Sequence, residues 1–353
     1  MRVIPPLTIT DAILTSSTAD ETPAAAYAGG TTYGLGDRVT TVVGTVYTVY
    51  QSLQADNVGH TPSASPTWWA NVGTTYAEWA VGTTYALGDI VKVVGTNSHK
   101  QYESLQAANL GKTPADEAAW WLDLGATNRW AMFDLLRNTQ TEWASPLTVV
   151  ITPGVRVNSL ALLGLVADSV TVSITSGGAI VYEYTQDLGT REVLDWYDYF
   201  FEPFSTAPSV VLFDLPPYTD AIVTVTITRA AGNVSCGSLV LGPYVYIGAV
   251  RYNAESDALN FSTVERNAFG DTLLIPRRTV PKTNQTILCK KSRVNKVRDL
   301  RDALNAAVAV WSGLDDITDG YGEALLILGY YRRFTIDVAY PDDAVITLEL
   351  EEI

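Results

Sequence analysis

The chain has 353 residues, 47% of them hydrophobic and 17% charged, which is too long for one average domain and apolar enough for several cores. A formal net charge of −15 speaks against general binding to a phosphate backbone and favours solubility at neutral pH, so no nucleic-acid partner is expected. No uninterrupted apolar run of about 18 residues occurs, which argues against membrane insertion.

Residues 1–25 open as MRVIPPLTITDAIL, without the basic, apolar and small-residue order of a secretory leader. Pro5 and Pro6, with the polar run 15–23, predict an extended arm that docks elsewhere or stays mobile. Two near-copies of one unit follow, assigned to modules at 26–74 and 75–125. Tyr33 matches Tyr85, Asp37 matches Asp89, Tyr50 matches Tyr102, Pro62 matches Pro114 and Trp68–Trp69 match Trp120–Trp121, all at an offset of 52 positions. Short β-like runs are predicted at 38–43, 46–52, 90–94 and 100–105. A unit of about 48 residues must draw much of its buried area from aromatics, each contributing roughly 150–250 Å².

A polar-aromatic connector spans 126–146. Residues 147–248 then read as all-β, with strands predicted at 147–151, 159–165, 169–175, 179–185, 209–213, 221–229 and 238–245. Alternation in Val170–Ile174 and Ile222–Ile227 predicts half-buried antiparallel strands, and seven strands in about 100 residues suggest a jelly-roll-like sandwich. Residues 249–353 read as an α+β unit that anchors the chain. Strands are expected at 286–291, 323–330, 333–339 and 344–351, and an amphipathic helix at 297–311 on the spacing of Val297, Leu300, Leu304, Val308 and Trp311. The fold class is thus multidomain and mainly β: two small modules, a sandwich and a C-terminal α+β unit. Between 277 and 301 lie nine bases and one acid, Asp299, either a docking face for an acidic partner or a solvated face.

Little here points to catalysis, and no enzyme activity is expected. His60 and His99 occupy unmatched repeat positions, without a second histidine or cysteine nearby to build a triad or a zinc site. Cys236 and Cys289 carry no partner motif and read as free buried thiols of a protein folded in a reducing cytoplasm. A glycosidase needs only two carboxylates. Asp195 and Asp198 in an aromatic run are candidates, but a polar loop packing aromatics at one end of the sandwich is the plainer account. Asp315–Asp316, Asp342–Asp343 and Glu351–Glu352 read as turn or surface acids. No cofactor or metal is expected.

What remains is aromatic. Indole and phenol faces stack on the C–H face of sugar rings at little entropic cost, and the same groups also fill small cores. Tyr33, Tyr85, Tyr50 and Tyr102 are expected inside. If the paired tryptophans lie on a strand, one of each packs inward while its neighbour is presented outward. Asp37 and Asp89 are expected to form turns.

The repeat pattern (an aromatic, Tyr-x-x-Gly-Asp-x-Val, Val-Gly, a Tyr-bearing strand, Thr-Pro and a final Trp) resembles the chitin-binding type 3 modules of bacterial chitinases and cellulases. That resemblance implies polysaccharide contacts at Trp69 and Trp121 with Tyr27 and Trp79; Trp68 and Trp120, as the other members of the tryptophan pairs, complete the candidate set. Gly59–Pro62 and Gly111–Pro114 depart from it by lacking an aromatic before the proline. Residues 2–6, 14–17, 126–134, 261–270, 277–278 and 348–353 resemble structural proteins in the tails of long-tailed bacteriophages. This implies a virion component of the tail tip or baseplate, assembled in the host cytoplasm as a homo-oligomer beside other tail proteins, with its modules making weak contact with a host-surface glycan. The alternatives are purely architectural modules that contact neighbouring subunits, or a polysaccharide-cleaving enzyme.

Overall fold

The computed structural model describes residues 1–190, 195–201, 205–266, 269–314, 321–338 and 340–353. It is multidomain and mainly β, 49% strand and 8% helix. Among the described residues no helix is long and apolar enough to cross a membrane.

Each repeat folds into the same three-stranded antiparallel sheet. In the first, Arg38–Val43, Val46–Ser52 and Trp69–Tyr76 pair in that order; in the second, Ile90–Val93, Lys100–Ser104 and Trp121–Ala126 do. The core of the first is Tyr33, Val39 and Trp69, and that of the second Tyr85, Val91, Tyr102 and Trp121. Of the four tyrosines expected inside, Tyr50 is only half-buried.

The sandwich opposes a five-stranded sheet to a three-stranded one. The larger sheet runs Ala179–Asp187, Ser169–Ser176, Ile222–Thr228, Leu147–Ile151, Leu14–Ser17. Val170, Val172 and Ile174 point inward with Val223, Val225 and Ile227, the faces their alternation predicts. The smaller sheet runs Ser209–Phe213, Ser159–Leu163, Ser238–Gly242. Every residue of its last two strands is buried. One face meets the sandwich core through Leu160, Leu162, Leu239 and Leu241. The other, Ala161, Leu163 and Val240, packs on Ile4, Val310 and Leu328 of the C-terminal sheet.

That C-terminal sheet has eight strands, ordered Val245–Tyr246, Arg2–Ile4, Ala309–Ser312, Leu326–Asp337, Asp343–Glu352, Thr279–Lys290, Ala249–Val250, with Glu255–Asn260 also on Thr279–Lys290. The helix Val294–Ala303 covers one face through Val297 and Leu300. It stops well short of the expected 311. Leu304 is its C-cap, Ala306 takes a φ of 56°, and the chain turns into the strand Ala309–Ser312. Trp311 is therefore a fully buried strand residue whose indole N–H donates to the Gly329 carbonyl at 3.0 Å. Helical spacing misled because Ala309–Ser312 is buried on both faces, Val310 toward the sandwich and Trp311 toward the helix, and such an apolar run carries no period that tells a strand from a helix. Residues 323–325 form a 3₁₀ turn, and the two strands expected at 323–330 and 333–339 are one, Leu326–Asp337, with a register shift between Tyr331 and Arg333; residue 339 lies outside the described residues.

The N-terminal 25 residues have no core of their own and join all four units. Arg2–Ile4 is an interior strand of the C-terminal sheet, between Val245–Tyr246 and Ala309–Ser312. Leu14–Ser17 extends the sandwich beside Leu147–Ile151. Glu21 is buried against both modules.

Candidate functional site

The structure divides the six aromatic candidates. Trp69 and Trp121 are each only 2% exposed. Their indole nitrogens donate to the carbonyls of His60 at 2.7 Å and Lys112 at 2.9 Å, and their rings meet Tyr33 and Tyr85 edge-on at 5.2 and 5.3 Å. The expectation that these two face a glycan is corrected. Burying one tryptophan, at roughly 200 Å², supplies about 5 kcal/mol of gross transfer free energy, which a three-stranded module has few other groups to provide.

Their neighbours Trp68 and Trp120 are half-buried and end the turns that lead into those strands, so the pairs do not lie within a strand. Trp68 is already stacked by the His60 ring at 3.9 Å and 12°, and Lys112 Nζ lies 5.4 Å from the Trp120 ring. Tyr27 and Trp79 are half-buried edges of the two small cores, Tyr27 lying 5.9 Å from Tyr33 and 6.0 Å from Trp69. The six therefore form two separate clusters, one per module.

Asp37 and Asp89 form turns, accepting from the backbone N–H of Gly34 and of Ala86 at 2.7 Å. Buried Asn57 and Asn109 repeat one another, donating to Ser52 Oγ at 2.9 Å and Ser104 Oγ at 3.0 Å. The shared sequence thus encodes internal scaffolding.

Sequence reasoning missed Glu21. Its backbone carbonyl accepts from Thr75 Oγ1 at 2.9 Å and Lys92 Nζ at 2.7 Å, and its carboxylate bonds Thr127 Oγ1 and His99 Nδ1. Thr75 and Thr127 are matched repeat positions, so one arm residue gathers the closing strands of both modules. Burial alone would raise the Glu21 pKa; the His99 and Thr127 hydrogen bonds, then the His99 and Lys92 charges, outweigh it and hold the carboxyl below its usual range. The signal was faint: His99 stands where the first repeat has Tyr47.

Other expectations change as well. Asp195 caps the helix Trp196–Phe201, accepting from the Tyr197 N–H at 2.7 Å. The aromatics of that helix do not pack on the sandwich end: Trp196 is 78% exposed and Tyr197, Phe200 and Phe201 each 67–68%. Glu352 is not a surface acid; it is 9% exposed and accepts from Arg137 Nε at 3.2 Å and Arg278 Nη2 at 3.0 Å, tying the connector to the C-terminal sheet. Asp343 pairs with Lys290 at 2.9 Å, whereas Asp315 and Asp316 lie outside the described residues. In the basic stretch Arg298 and Arg301 pair with Asp299 and Asp302, while Lys291, Arg293 and Lys296 are exposed. Cys236 and Cys289 are free and buried, and burial pushes the Cys236 thiol up to about 12.

Among the described residues no cluster of three or more His, Cys, Asp or Glu side chains could hold a metal. A scan against protein-family models and searches of curated proteins and of solved structures find no match to this chain.

Proposed function

We propose that this chain is a structural subunit of the tail tip or baseplate of a long-tailed bacteriophage, held by its neighbours through two apolar projections. The observation that carries this reading is their exposure. One projection is the aromatic helix Trp196–Phe201. The other is the ribbon in which Glu255–Asn260 pairs with Thr279–Lys290 and Thr263–Arg266 with Thr272–Ile275. It carries Val264, Leu273 and Leu274 at 60, 57 and 67% exposure. Clustered exposure of this kind marks interaction surfaces on a soluble protein, and a two-stranded ribbon is marginal in water on its own. A second copy of the chain fits as occupant. The segment 277–301 carries +8 of a net −15, leaving −23 on the remainder, so the basic side of one copy attracts the body of the next. Head-to-tail contacts of that type form a ring when the rotation between copies closes. The tail itself is inferred from the resemblance of the segments outside the repeats.

Mass photometry of the full chain tests the assembly. A discrete oligomer is expected, reverting to monomer in a Val264→Ser/Leu274→Ser variant; a wild-type monomer at every concentration would overturn it. Immunogold labelling of phage particles tests the location, and label away from the tail end would count against it.

The first module is fastened to its own chain, because Val49 and Val72 of its sheet belong to the sandwich core.

A further inference from the structure

The two modules and the sandwich meet around an open cleft of about 400 Å³. Asn71 and Tyr76 come from the last strand of the first module, Gln101 from the middle strand of the second, and Asn128 from the connector. Glu142 and Asn233 come from the paired strands Thr141–Ala144 and Asn233–Cys236. Tyr76 and Asn128 are matched repeat positions, so the cleft lies where the two copies of the unit end.

Its polar groups are held in place. Asn128 Nδ2 donates to the Glu142 carbonyl and the Glu142 N–H donates to Asn128 Oδ1, both at 2.9 Å. Asn233 Nδ2 donates to Glu142 Oε1 at 3.1 Å, Gln101 Nε2 to the Ala126 carbonyl at 2.9 Å, and the Gly73 N–H to Asn71 Oδ1 at 3.1 Å. These bonds fix each side chain and leave part of its capacity unused: among the described residues, Asn71 Nδ2, Gln101 Oε1, Asn233 Oδ1, Glu142 Oε2 and the Tyr76 hydroxyl have no hydrogen-bond partner. Tyr76 is half-buried, and burial raises its pKa, so it stays a neutral phenol at physiological pH.

Such a lining selects by chemistry. Four amides offering donors and acceptors at fixed positions suit a ligand whose groups both donate and accept, as hydroxyls do. The phenol ring offers an apolar face for aliphatic C–H groups. Among the described residues that line the cleft Glu142 is the one charged side chain and none is a base, which disfavours phosphates, uronic acids and other anions. The volume lies near the lower end of the usual range of about 300–1,000 Å³ for small-molecule sites.

We propose that this three-way cleft, and not the tryptophan pairs, binds an uncharged pyranose unit of a polysaccharide. In a tail subunit that sugar would belong to the host surface; this part rests on the reading above, while binding itself does not.

Saturation-transfer NMR of the full chain with glucose, galactose, N-acetylglucosamine and glucuronate as probes tests it. Transfer to at least one neutral sugar and none to glucuronate is expected. A Gln101→Ala/Asn233→Ala variant should weaken binding about tenfold or more, with an unchanged melting curve and unchanged oligomer mass. Should that variant melt early, Asn71→Lys places a long side chain on the exposed lip of the cleft and should give the same loss. The proposal is overturned if no neutral sugar binds the wild type, if binding survives the cleft variants, or if Trp68→Ala/Trp120→Ala abolishes it while they do not. Because mass reports assembly and NMR reports binding, either reading can fail alone.

Discussion

The two copies of the repeat have the same inside and different outsides. In the first, Val49 and Val72 are 3% and 0% exposed against the sandwich, and Gly73 lies over Trp143. In the second, the matched residues are half-buried Gln101, Leu124 at 40% exposure, and Gly125 with open space where a side chain would be. What stayed constant after duplication is what each unit needs to fold: the buried tryptophan, the turn aspartate and the buried asparagine. What diverged records attachment. One sheet face became part of a neighbouring core, while the equivalent position in the other contributes an amide to a cleft.

The largest effects should come from the shared inside and be nearly equal in the two copies. Trp69→Ala and Trp121→Ala should each cost about 3–5 kcal/mol and open their own module, read by hydrogen exchange across residues 27–76 and 79–126. Protection surviving in either module would show that the tryptophan is not its core. The glycines should separate the copies. A Cβ at Gly73 would stand 2.5 Å from the Trp143 ring at a φ of +150°, so Gly73→Ala should cost about 2–4 kcal/mol. Gly125→Ala meets only its φ of +94° and should cost about 1 kcal/mol. Equal melting shifts for the two would refute the asymmetry. Exchanging the sheet faces comes next. Val49→Gln buries an amide and should cost about 1–3 kcal/mol, whereas Gln101→Val should stay within about 0.5 kcal/mol; chemical denaturation gives both.

The smallest effect concerns the residue between the copies. The Glu21 carboxyl is held below its ordinary value of 4.5 by His99, Thr127 and Lys92 against the cost of burial. A depressed carboxyl stabilises the fold above its unfolded value and loses that contribution as pH falls through its folded value. Exchange of the Thr127 amide, which donates to the His99 carbonyl at 2.9 Å, should therefore quicken on acidification below about pH 4.5 beyond its intrinsic change. Glu21→Gln should remove that extra pH dependence; an identical profile in the variant would show that the carboxylate does not hold the joint.

The sandwich was legible because its strands alternate: 147–151 and 209–213 match to the residue, and 169–175 differs by one. The modules were legible because they are written twice. Three features were not. Arg2–Ile4 is three residues long and owes its strand state to partners more than 240 positions away, which no local period reports. The strand Ala309–Ser312 is apolar on both faces and shows no alternation to set against the helical spacing, so tertiary pairing decided its state. Exposure of the run from Trp196 to Phe201 could not be read from composition, because aromatic content says only that such groups prefer cover, not whether their own chain supplies it. For the candidate site, spacing located the tryptophans but not which of each pair faces in. The cleft draws its residues from five separate segments and leaves no motif.

The strand Arg2–Ile4 also sets a clock. Trp311, the partner of Val3, leaves the ribosome about 300 residues after it, roughly 15–60 s at ordinary elongation speeds. Within that interval the sandwich face of Ala161, Leu163 and Val240 has no cover until Val310 and Leu328 have been made. Anything that slows synthesis of the last third of the chain lengthens the exposure, so yield on expression should depend on translation rate there, and on cellular holdases, more than on the equilibrium stability of the finished protein.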